Sequence, residues 1–442
     1  MEVKMKRFIS LVMLLIFTCT GLSGTVSAAK QAIPFEAKTV TKEQAVALAD
    51  RFAYEYEYAL VDMERPDFDY VERNDSTVLF LEKLRYDIEA AKVFTLNYTN
   101  LKEQDCDLHY CLISDNRITV ELYCSFTFHY VDAPEDMISG HGVLYSFEML
   151  EADGTLRIVG IKTVSSDFDY YESEIEDYAE RTDLSFADAA VALTDEKIAQ
   201  LPSEYAYWCE QVEAFDSKYI GEDYFDETNG GNRENGERSV NVSYTRSAAV
   251  AYGTTFGNQA QNYIFKRMGA DCTNFVSQCL WAGYGGTAGY SLTDTAALKA
   301  RVAANYRQTS TWFGRNYDSP YAYGTGPFIR VVELWSHATT NTGDGPRATG
   351  YNDGNVWTSL TVVPRTGDVL QFYNSSLGRY RHSVIVTKTT SPTLSNMLDN
   401  IWVSQHDGDY TDRPLRATLI ANGGITSGKM RLMRPKATTF AS

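Results

Sequence analysis

Apolar residues recur at helical spacing near the start of the chain. Residues 45–59 place apolar side chains on one helical face, and Thr41 with Gln44 forms a capping-box pattern directly before them. This pattern predicts a helix over 41–62, and residues 76–96 continue with the same period. Two helices are therefore expected before any strand.

An alternating pattern replaces the helical one farther along the chain. From 120 to 128, apolar residues take every second position, which predicts a half-buried strand. Two more apolar runs cover 142–149 and 156–163, and the Asp153-Gly154 pair between them is typical of a β-hairpin turn. The N-terminal half is therefore predicted to consist of helices packed on an antiparallel meander.

A polar segment separates this half from the rest. Helical character extends over 185–216, with a break expected at Pro202. Residues 226–240 are rich in Gly, Asn and charged side chains and lack apolar anchors, which indicates an interdomain linker. We therefore predict a separate α+β N-terminal domain over 29–225 and a second domain over 241–442.

The second domain combines helices with short strands, so it is also α+β. Helices are predicted over 244–252 and from Cys272 to Trp281, the latter ending at Gly283. A cysteine on a helix, followed by a small antiparallel sheet that carries a histidine, is the order of a papain-like core. The strands are predicted over 368–373, 383–388, 401–405 and 416–421.

The first 28 residues have the pattern of an export signal. Basic residues precede an apolar run over 8–17, and small residues at 26–28 offer a cleavage site. The run is too short to span a bilayer, which takes about 20 residues. We expect a mature protein that is secreted or associated with the cell wall. Lipidation of Cys19 is the alternative, which the bulky Phe17 disfavours.

Six cysteines follow the predicted cleavage site at Ala28. An even number in an exported protein is compatible with disulfides, and Cys106 with Cys111 is the candidate pair. The cysteine density lies far below that of a disulfide-stapled scaffold, so buried free thiols are the alternative.

The net charge of −18 is unevenly distributed. Residues 236–442 contain 20 Lys and Arg against 12 Asp and Glu, a net charge of +8, which leaves −26 for residues 1–235. Opposite charges favour an intramolecular contact between the two domains, although salt screens exposed charges beyond about 10 Å. Ordinary solvated surfaces are the alternative. Nothing in the pattern indicates nucleic-acid binding, and a monomer is expected.

Cys272 is the candidate nucleophile. It follows a segment of loop character and begins a predicted helix, where the partial positive charge of the N-terminus favours a thiolate over a thiol. Backbone N–H groups at this helix start, that of Cys272 among them, are expected to hold the oxyanion. Cys279 lies two turns on, nearly on the same helix face, and is interpreted as a packing residue.

His382 is the candidate base. Of the six histidines, His337, His382 and His406 fall in the second domain, and His382 opens a predicted strand directly after a turn. A histidine at the mouth of a strand can face a helix end while the following residues alternate into the core. His337 is interpreted as a substrate-loop or surface residue.

A third polar side chain is expected to orient the imidazole of His382. The strand over 401–405 and the residues after it supply the candidates. Strand alternation puts Ser404 and His406 on one face and Gln405 on the other. We choose His406 over Gln405 and Asp407.

Five segments in this order resemble the "putative amidase domain" family of Gram-positive bacteria, which is similar to the CHAP and NlpC-type peptidoglycan hydrolases. The resemblance covers about 244–436. The segments are Tyr244-Thr-Arg-Ser-Ala-Ala-Val250, Asp271-Cys-Thr-Asn-Phe-Val-Ser-Gln-Cys-Leu280, Gly367-Asp-Val-Leu-Gln371, His382-Ser-Val-Ile-Val-Thr387, and Ser404-Gln-His406 with Arg413-Pro-Leu415.

The resemblance implies a papain-like fold in which Cys272 and His382 cut an amide bond, either in cell-wall peptidoglycan or in a related peptide. Asp271, Asn274 and Ser404 are expected to bind substrate or the oxyanion. One departure concerns the loop over 375–381, because the family often has a Trp or an acidic, glycine-rich loop there. This departure affects substrate preference more than reaction type.

Other site chemistries find little support in the sequence. Neither CxxC nor HxxxH spacing occurs, so no metal site is predicted, and no glycine-rich stretch precedes a Lys-Ser or Lys-Thr helix start. The predicted reaction needs no cofactor. The alternative function is a catalytically inactive secreted protein that binds the cell wall or acts as an adhesin.

Overall fold

A computed structural model describes residues 40–441 apart from 136, 153–154, 220–238, 321, 323 and 376. Most helices of the N-terminal half are long, whereas those of the C-terminal half are short. The α-helices are α1 (Lys42–Asp62), α2 (Asp75–Phe94), α3 (Ser166–Thr182), α4 (Phe186–Tyr219), α5 (Arg246–Phe256), α6 (Cys272–Gly283), α7 (Thr295–Ala303), α8 (Gly326–Ile329), α9 (Val331–Thr340), α10 (Met397–Asn400), α11 (Leu415–Ala421) and α12 (Gly424–Ser427).

The strands form one large sheet and one small one. Ten of them belong to the large sheet, in the order β1-β2-β3-β10-β9-β8-β7-β11-β6, with β4 also paired to β3. The strands are β1 (Tyr98–Ser114), β2 (Arg117–Tyr130), β3 (Ser139–Ala152), β4 (Thr155–Thr163), β5 (Ser239–Val242), β6 (Arg347–Tyr351), β7 (Val369–Asn374), β8 (Arg379–Thr389), β9 (Ile401–Gln405), β10 (Asp409–Pro414), β11 (Met430–Lys436) and β12 (Thr438–Ala441).

The large sheet joins the two halves of the chain. The beginning of β3 pairs antiparallel with β10, and Tyr410 lies opposite His141. Gly142 of β3 leaves room for the side chain of Tyr123 on β2, because a Cβ atom at this position would lie 2.0 Å from the hydroxyl oxygen of Tyr123. One apolar core runs through both halves and includes Phe52 of α1 and Val403 of β9. The predicted α+β class is confirmed, but a separate N-terminal domain is not.

Two elements of the chain start as the local pattern predicts. Thr41 and Gln44 form the capping box of α1, with Thr41 Oγ1 accepting from the Gln44 N–H and Gln44 Oε1 accepting from the Thr41 N–H. Helix α6 begins at Cys272 and ends at Gly283. Capping and periodicity were sufficient for α1, and apolar periodicity alone was sufficient for α6.

Two local predictions were wrong. Helix α4 continues through Pro202, where a break was expected, because burial of its apolar face, which includes Leu193 and Leu201, offsets the lost hydrogen bond and the ring clash of an internal proline. Residues 416–421, predicted as a strand, belong to α11, which starts directly after Pro414. Such a short apolar run fits either period, and a proline before a helix start is favourable.

The disulfide also differs from the predicted pair. Cys106 is bonded to Cys124, which lies directly opposite on the neighbouring strand, and Cys111 is free. Cys106 and Cys111 are five positions apart on the extended strand β1, which separates them by roughly 16 Å. A disulfide needs Cα atoms within about 7 Å, which excludes the predicted pair.

Some predictions fall on residues outside the described part of the chain. The export signal over 1–28 and Cys19 lie there, as does most of the predicted linker over 226–240. Ser239 and Val240, at the end of that range, belong to β5, which pairs with β12. Within the described residues, no helix is both long and apolar enough to cross a membrane.

Candidate active site

Cys272 is the first residue of α6 and lies in the interior of the C-terminal half. The residue is 6% exposed and belongs to a small apolar cluster with Val331 and Tyr380, against which Tyr373 packs. Nearly every position of α6 is buried, so the helix is held on all sides and its start is fixed in place. The sequence predicted this placement of the thiol.

The thiol of Cys272 is not ionised easily in this arrangement. Its hydrogen-bond contacts are Thr273 Oγ1 at 3.8 Å and the carbonyl oxygen of Arg381 at 3.9 Å. Burial and then the carboxylate of Asp407 raise the pKa of Cys272 to about 12. A reactive thiolate needs a partner that this arrangement does not provide.

The carboxylate of Asp407 occupies the backbone N–H groups at the start of α6. Asp407 Oδ2 accepts from the N–H of Cys272 at 3.1 Å, and both carboxylate oxygens accept from the N–H of Asp271 at 2.8 and 2.9 Å. A helix N-terminus attracts anions, and these are the groups expected to hold an oxyanion. Burial and the nearby Asp271 carboxylate raise the pKa of Asp407 to about 6.

His406 belongs to the support of this helix start. Its Nδ1 bonds to Asp271 Oδ2 at 2.5 Å, its Nε2 bonds to the carbonyl oxygen of Phe256 at 3.0 Å, and its ring stacks on Phe275 with centroids 4.0 Å apart. Burial lowers the pKa of His406, but the carboxylates of Asp409 and Asp271 outweigh burial and raise it. Both ring nitrogens are engaged, so His406 does not orient His382 as predicted.

The side chain of His382 points to the side of strand β8 that faces away from α6 and Cys272. Ser383, the next residue, faces α6, where its hydroxyl lies 3.1 Å from Thr273 Oγ1. Side chains alternate along a strand, so His382 faces the opposite side and pairs with Phe372 of β7. A β-bulge at position 381 precedes it, where two residues of β8 match one of β7. The expected hydrogen bond between sulfur and imidazole is not formed.

The surroundings of His382 come from three parts of the chain. Gln405, the alternative third residue, lies on the same sheet face, and its side-chain contact raises the pKa of His382. Neither ring nitrogen of His382 has a partner at full hydrogen-bond geometry. Burial has the larger effect and lowers the pKa to about 4, while Asp167 raises it and Arg413 lowers it. His382 is therefore neutral at pH 7, as a general base must be.

The structure decides between Gln405 and His406 through strand register. Val403 lies opposite Val386 on β8, and Gln405 is two residues beyond Val403 on β9. His382 is four residues from Val386 on β8. Side chains an even number of positions apart on a strand share a face, so His382 and Gln405 lie on the same face of the sheet. Gln405 donates through Nε2 to the carbonyl of Gly408 at 3.0 Å, which leaves its Oε1 available as an acceptor.

Asn274 and Ser404 have structural contacts. Asn274 donates from Nδ2 to Asp271 Oδ1 at 2.8 Å and to the carbonyl of Lys266 at 3.0 Å, which closes the loop before α6. Ser404 Oγ accepts from the N–H of Asp412 at 3.3 Å. The structure thus brings Asp271 and Asn274 to Cys272 but leaves Ser404 one strand away, with no contact to the thiol.

Sequence reasoning missed a buried ion pair beside the site. Arg267 donates to both carboxylate oxygens of Asp409, at 2.7 and 2.8 Å, and the hydroxyl of Tyr123 donates to Asp409 Oδ2 at 2.8 Å. Burial alone would raise the pKa of Asp409, but Arg267 holds it below its ordinary value. Tyr123 belongs to β2, so this pair also ties the site to the N-terminal half. No local sequence pattern indicates a pairing across 142 positions.

Comparison with known families finds a match in the C-terminal half. Residues 243–430 match a family model described as "Putative amidase domain". They form an amidase-like domain. The match covers less than half of the chain and contains the start of α6, His382 and the loop with Asp407.

Other comparisons add little. No curated protein matches the chain. Among solved structures, the crystal structure of the intermembrane space region of chloroplast protein ARC6 is 12% identical, with 28% of this chain and 97% of that chain covered and a TM-score of 0.21. A similarity this low supports no statement about the fold or function of this protein.

Proposed function

We propose that the amidase-like domain is a cysteine hydrolase that cleaves an amide bond in peptidoglycan peptide, with Cys272 as nucleophile and His382 as base. The observation that carries the proposal is the position of the thiol within this domain. Cys272 begins a buried helix, and its sulfur lies 3.9 Å from the carbonyl oxygen of Arg381, the residue before His382. The nucleophile and the strand that bears the base are therefore neighbours.

Catalysis requires two local changes. The imidazole of His382 turns past its own strand to the thiol, and the carboxylate of Asp407 leaves the N–H groups of Asp271 and Cys272. The first change would start at the bulge at position 381, because bulges re-aim side chains near active sites. The second change frees the donors for an oxyanion.

The reaction then follows the ordinary thiol mechanism. His382 takes the proton of Cys272, the thiolate adds to the amide carbonyl carbon, and the carbonyl oxygen becomes negative against the N–H groups at the start of α6. The C–N bond breaks while His382 gives its proton to the leaving nitrogen. Water, deprotonated by His382, attacks the thioester, and the C–S bond breaks to restore the thiol.

The cellular setting is part of the same proposal. An export signal over 1–28 would place the protein outside the cytoplasmic membrane, where peptidoglycan is the abundant amide polymer. The papain-like relation to CHAP and NlpC-type hydrolases rests on the five segments that resemble the family. These features support a cell-wall substrate.

A second candidate function is a catalytically inactive protein that binds the cell wall. The observation in its favour is the thiol itself, because its pKa is raised to about 12 and it has no hydrogen bond to an imidazole. Under this alternative the amidase-like domain is folded but does not hydrolyse amide bonds.

Digestion of purified peptidoglycan distinguishes the two. Newly released amines and muropeptides would be identified by mass spectrometry for the full chain, for Cys272→Ala and for Cys279→Ala. Cys279 is a second buried cysteine on α6, which makes it a matched control. We expect cleavage by the full chain and by Cys279→Ala but not by Cys272→Ala. Products that persist in Cys272→Ala would exclude the cysteine mechanism, and no products from any of the three would favour the binding function.

A further inference from the structure

A row of polar side chains crosses the side of the large sheet that faces α6. Arg431 of β11 lies opposite Gln371 of β7, and Gln371 lies opposite Ser383 of β8. Arg431 donates from Nε to Gln371 Oε1 at 2.8 Å, and Gln371 donates from Nε2 to Ser383 Oγ at 3.1 Å. The Ser383 hydroxyl lies 3.1 Å from that of Thr273, the residue after Cys272. The row therefore leads from a guanidinium to the helix that carries the thiol.

The guanidinium of Arg431 lies near the thiol. Its Cζ is 3.8 Å from the ring centre of Tyr380, which belongs to the apolar cluster that contains Cys272, and 4.3 Å from the ring centre of Trp335. Strands β11 and β8 are separated only by β7, so they lie about 10 Å apart. An extended peptide covers about 3.3–3.6 Å per residue, so roughly three residues span this distance. A substrate group bound at Arg431 is therefore only a few residues from the amide that Cys272 attacks.

The ion pair between Arg431 and Asp353 uses only part of the guanidinium. Arg431 donates from Nη1 to Asp353 Oδ1 at 3.1 Å, and the Arg431 side chain is 5% exposed whereas that of Asp353 is 54% exposed. The Nη2 atom of Arg431 is buried and has no hydrogen-bond partner among the described residues. A guanidinium binds a carboxylate best through two parallel N–H bonds, and the single bond to Asp353 leaves this capacity unused.

Arg434, three residues farther along β11, shows what a closed ion pair looks like on the same strand. Its Nε and Nη2 both donate to Asp368 Oδ2, at 3.0 and 2.9 Å, and the Asp368 side chain is fully buried. We interpret this second pair as structural support. The charge of Arg431, in contrast, is buried beneath a carboxylate that solvent reaches, so another carboxylate can take the place of Asp353.

We propose that Arg431 is a substrate-binding residue that recognises a carboxylate group close to the scissile amide, and that Asp353 occupies this position in the free protein. The inference rests on the proposed function, because it assigns a substrate class to the same site. The substrate carboxylate accepts from Nη1 and Nη2 together, and Asp353 turns into solvent. Both the terminal carboxylate of a peptide and the carboxylate of an acidic residue have this chemistry.

Equilibrium binding to the Cys272→Ala chain tests the assignment without turnover. The probes are the stem tetrapeptide of peptidoglycan with free carboxylates, the same peptide amidated at its C-terminus, and the same peptide amidated at its glutamate. Isothermal titration calorimetry gives the Kd of each peptide. We expect the free peptide to bind about tenfold or more tightly than one of the amidated forms, the usual effect of a hydrogen bond to a charged group. The amidation that weakens binding identifies the carboxylate.

Two substitutions, each made in the Cys272→Ala chain, should change binding in opposite directions. Arg431→Gln should weaken binding of the free peptide to the level of that amidated form, whose own Kd should not change. Asp353→Asn should tighten binding of the free peptide by up to about fivefold, because it removes a competing carboxylate from an exposed pair. Asp318→Asn, which alters the exposed pair with Lys299, is the matched control and should leave all three Kd values unchanged.

The outcomes separate this inference from the proposed function. Equal affinities of the three peptides, no binding by any of them, or equal losses for all three in Arg431→Gln would overturn the role of Arg431, whether or not the unaltered chain digests peptidoglycan. If Arg431→Gln does not fold, Asp353→Asn decides, because Asp353 lies at the surface. An unchanged or higher Kd for the free peptide in that variant would then overturn the proposal. Carboxylate-dependent binding without hydrolysis by the unaltered chain would support the binding site and contradict the proposed reaction.

Discussion

The two sides of strand β8 use buried charge in different ways. On the side of α6, Asp271 and Asp407 are tied to backbone N–H groups and to His406, and each has short hydrogen bonds. On the other side, His382 and Asp167 are buried with unused polar atoms. Burying a polar group without a partner is costly. We therefore interpret the α6 side of β8 as structural support and the His382 side as a part that can rearrange.

His382 and His406 therefore have different roles. His406 is hydrogen-bonded at both nitrogens, whereas neither nitrogen of His382 has a partner at full hydrogen-bond geometry. The sequence suggested that they act together. The structure instead assigns one to each side of the strand.

The largest expected effect separates the two histidines by substitution. His382→Gln should lower the rate of amide hydrolysis by about 10²–10⁴-fold, the usual contribution of a positioned base. His406→Gln should keep the rate per folded molecule but lower the free energy of unfolding, since it breaks two buried hydrogen bonds. Peptidoglycan hydrolysis and urea denaturation measure the two quantities. Normal hydrolysis by His382→Gln would show that His382 is not the base and that the two histidines do not differ in this way.

A second expected effect concerns the buried ion pair on the supporting side. Asp409→Asn leaves Arg267 buried without a full charge partner, and such a loss costs about 3–5 kcal/mol of stability. The control is Asp318→Asn, which breaks an exposed pair with Lys299 and should cost no more than about 1 kcal/mol. Urea denaturation of both variants checks the difference, and equal losses would contradict the assignment of a supporting role.

The smallest expected effect concerns Asp407. Its carboxylate raises the pKa of Cys272, so Asp407→Asn should lower that pKa while keeping an oxygen acceptor for the helix N–H groups. The pH profile of Cys272 alkylation should therefore move to lower pH. Burial remains the larger cause, so the thiol should still titrate above its ordinary value. A profile that does not move, or moves to higher pH, would show that Asp407 does not restrain the thiol.

Some features of the site could be predicted because they are local. The start of α6 at Cys272 follows from apolar spacing over a few residues, and the capping box of α1 follows from Thr41 and Gln44. The alternation along β2 and the β3–β4 hairpin are equally short-range. Each of these is decided by neighbours within about one turn or one strand.

The choice between Gln405 and His406 could not be made in this way. Alternation showed that the two side chains point to opposite faces, but the face of His382 depends on how β8 pairs with β7 and β9. A shift of one residue exchanges the two faces. The same reason explains the disulfide, since the register of β1 with β2 places Cys106 opposite Cys124.

The chain by itself determined the helix that presents the thiol, the α+β class and the unequal charge of its two halves. Only the tertiary structure decided that Asp167, Arg381 and Arg413 meet around His382, and that one sheet joins both halves. The physical reason is the range of the interactions. Helix starts and alternation are set by adjacent residues, whereas strand register depends on a second strand. The charge pairs of Asp169 with Arg381 and of Asp167 with Arg413 join segments more than 200 positions apart.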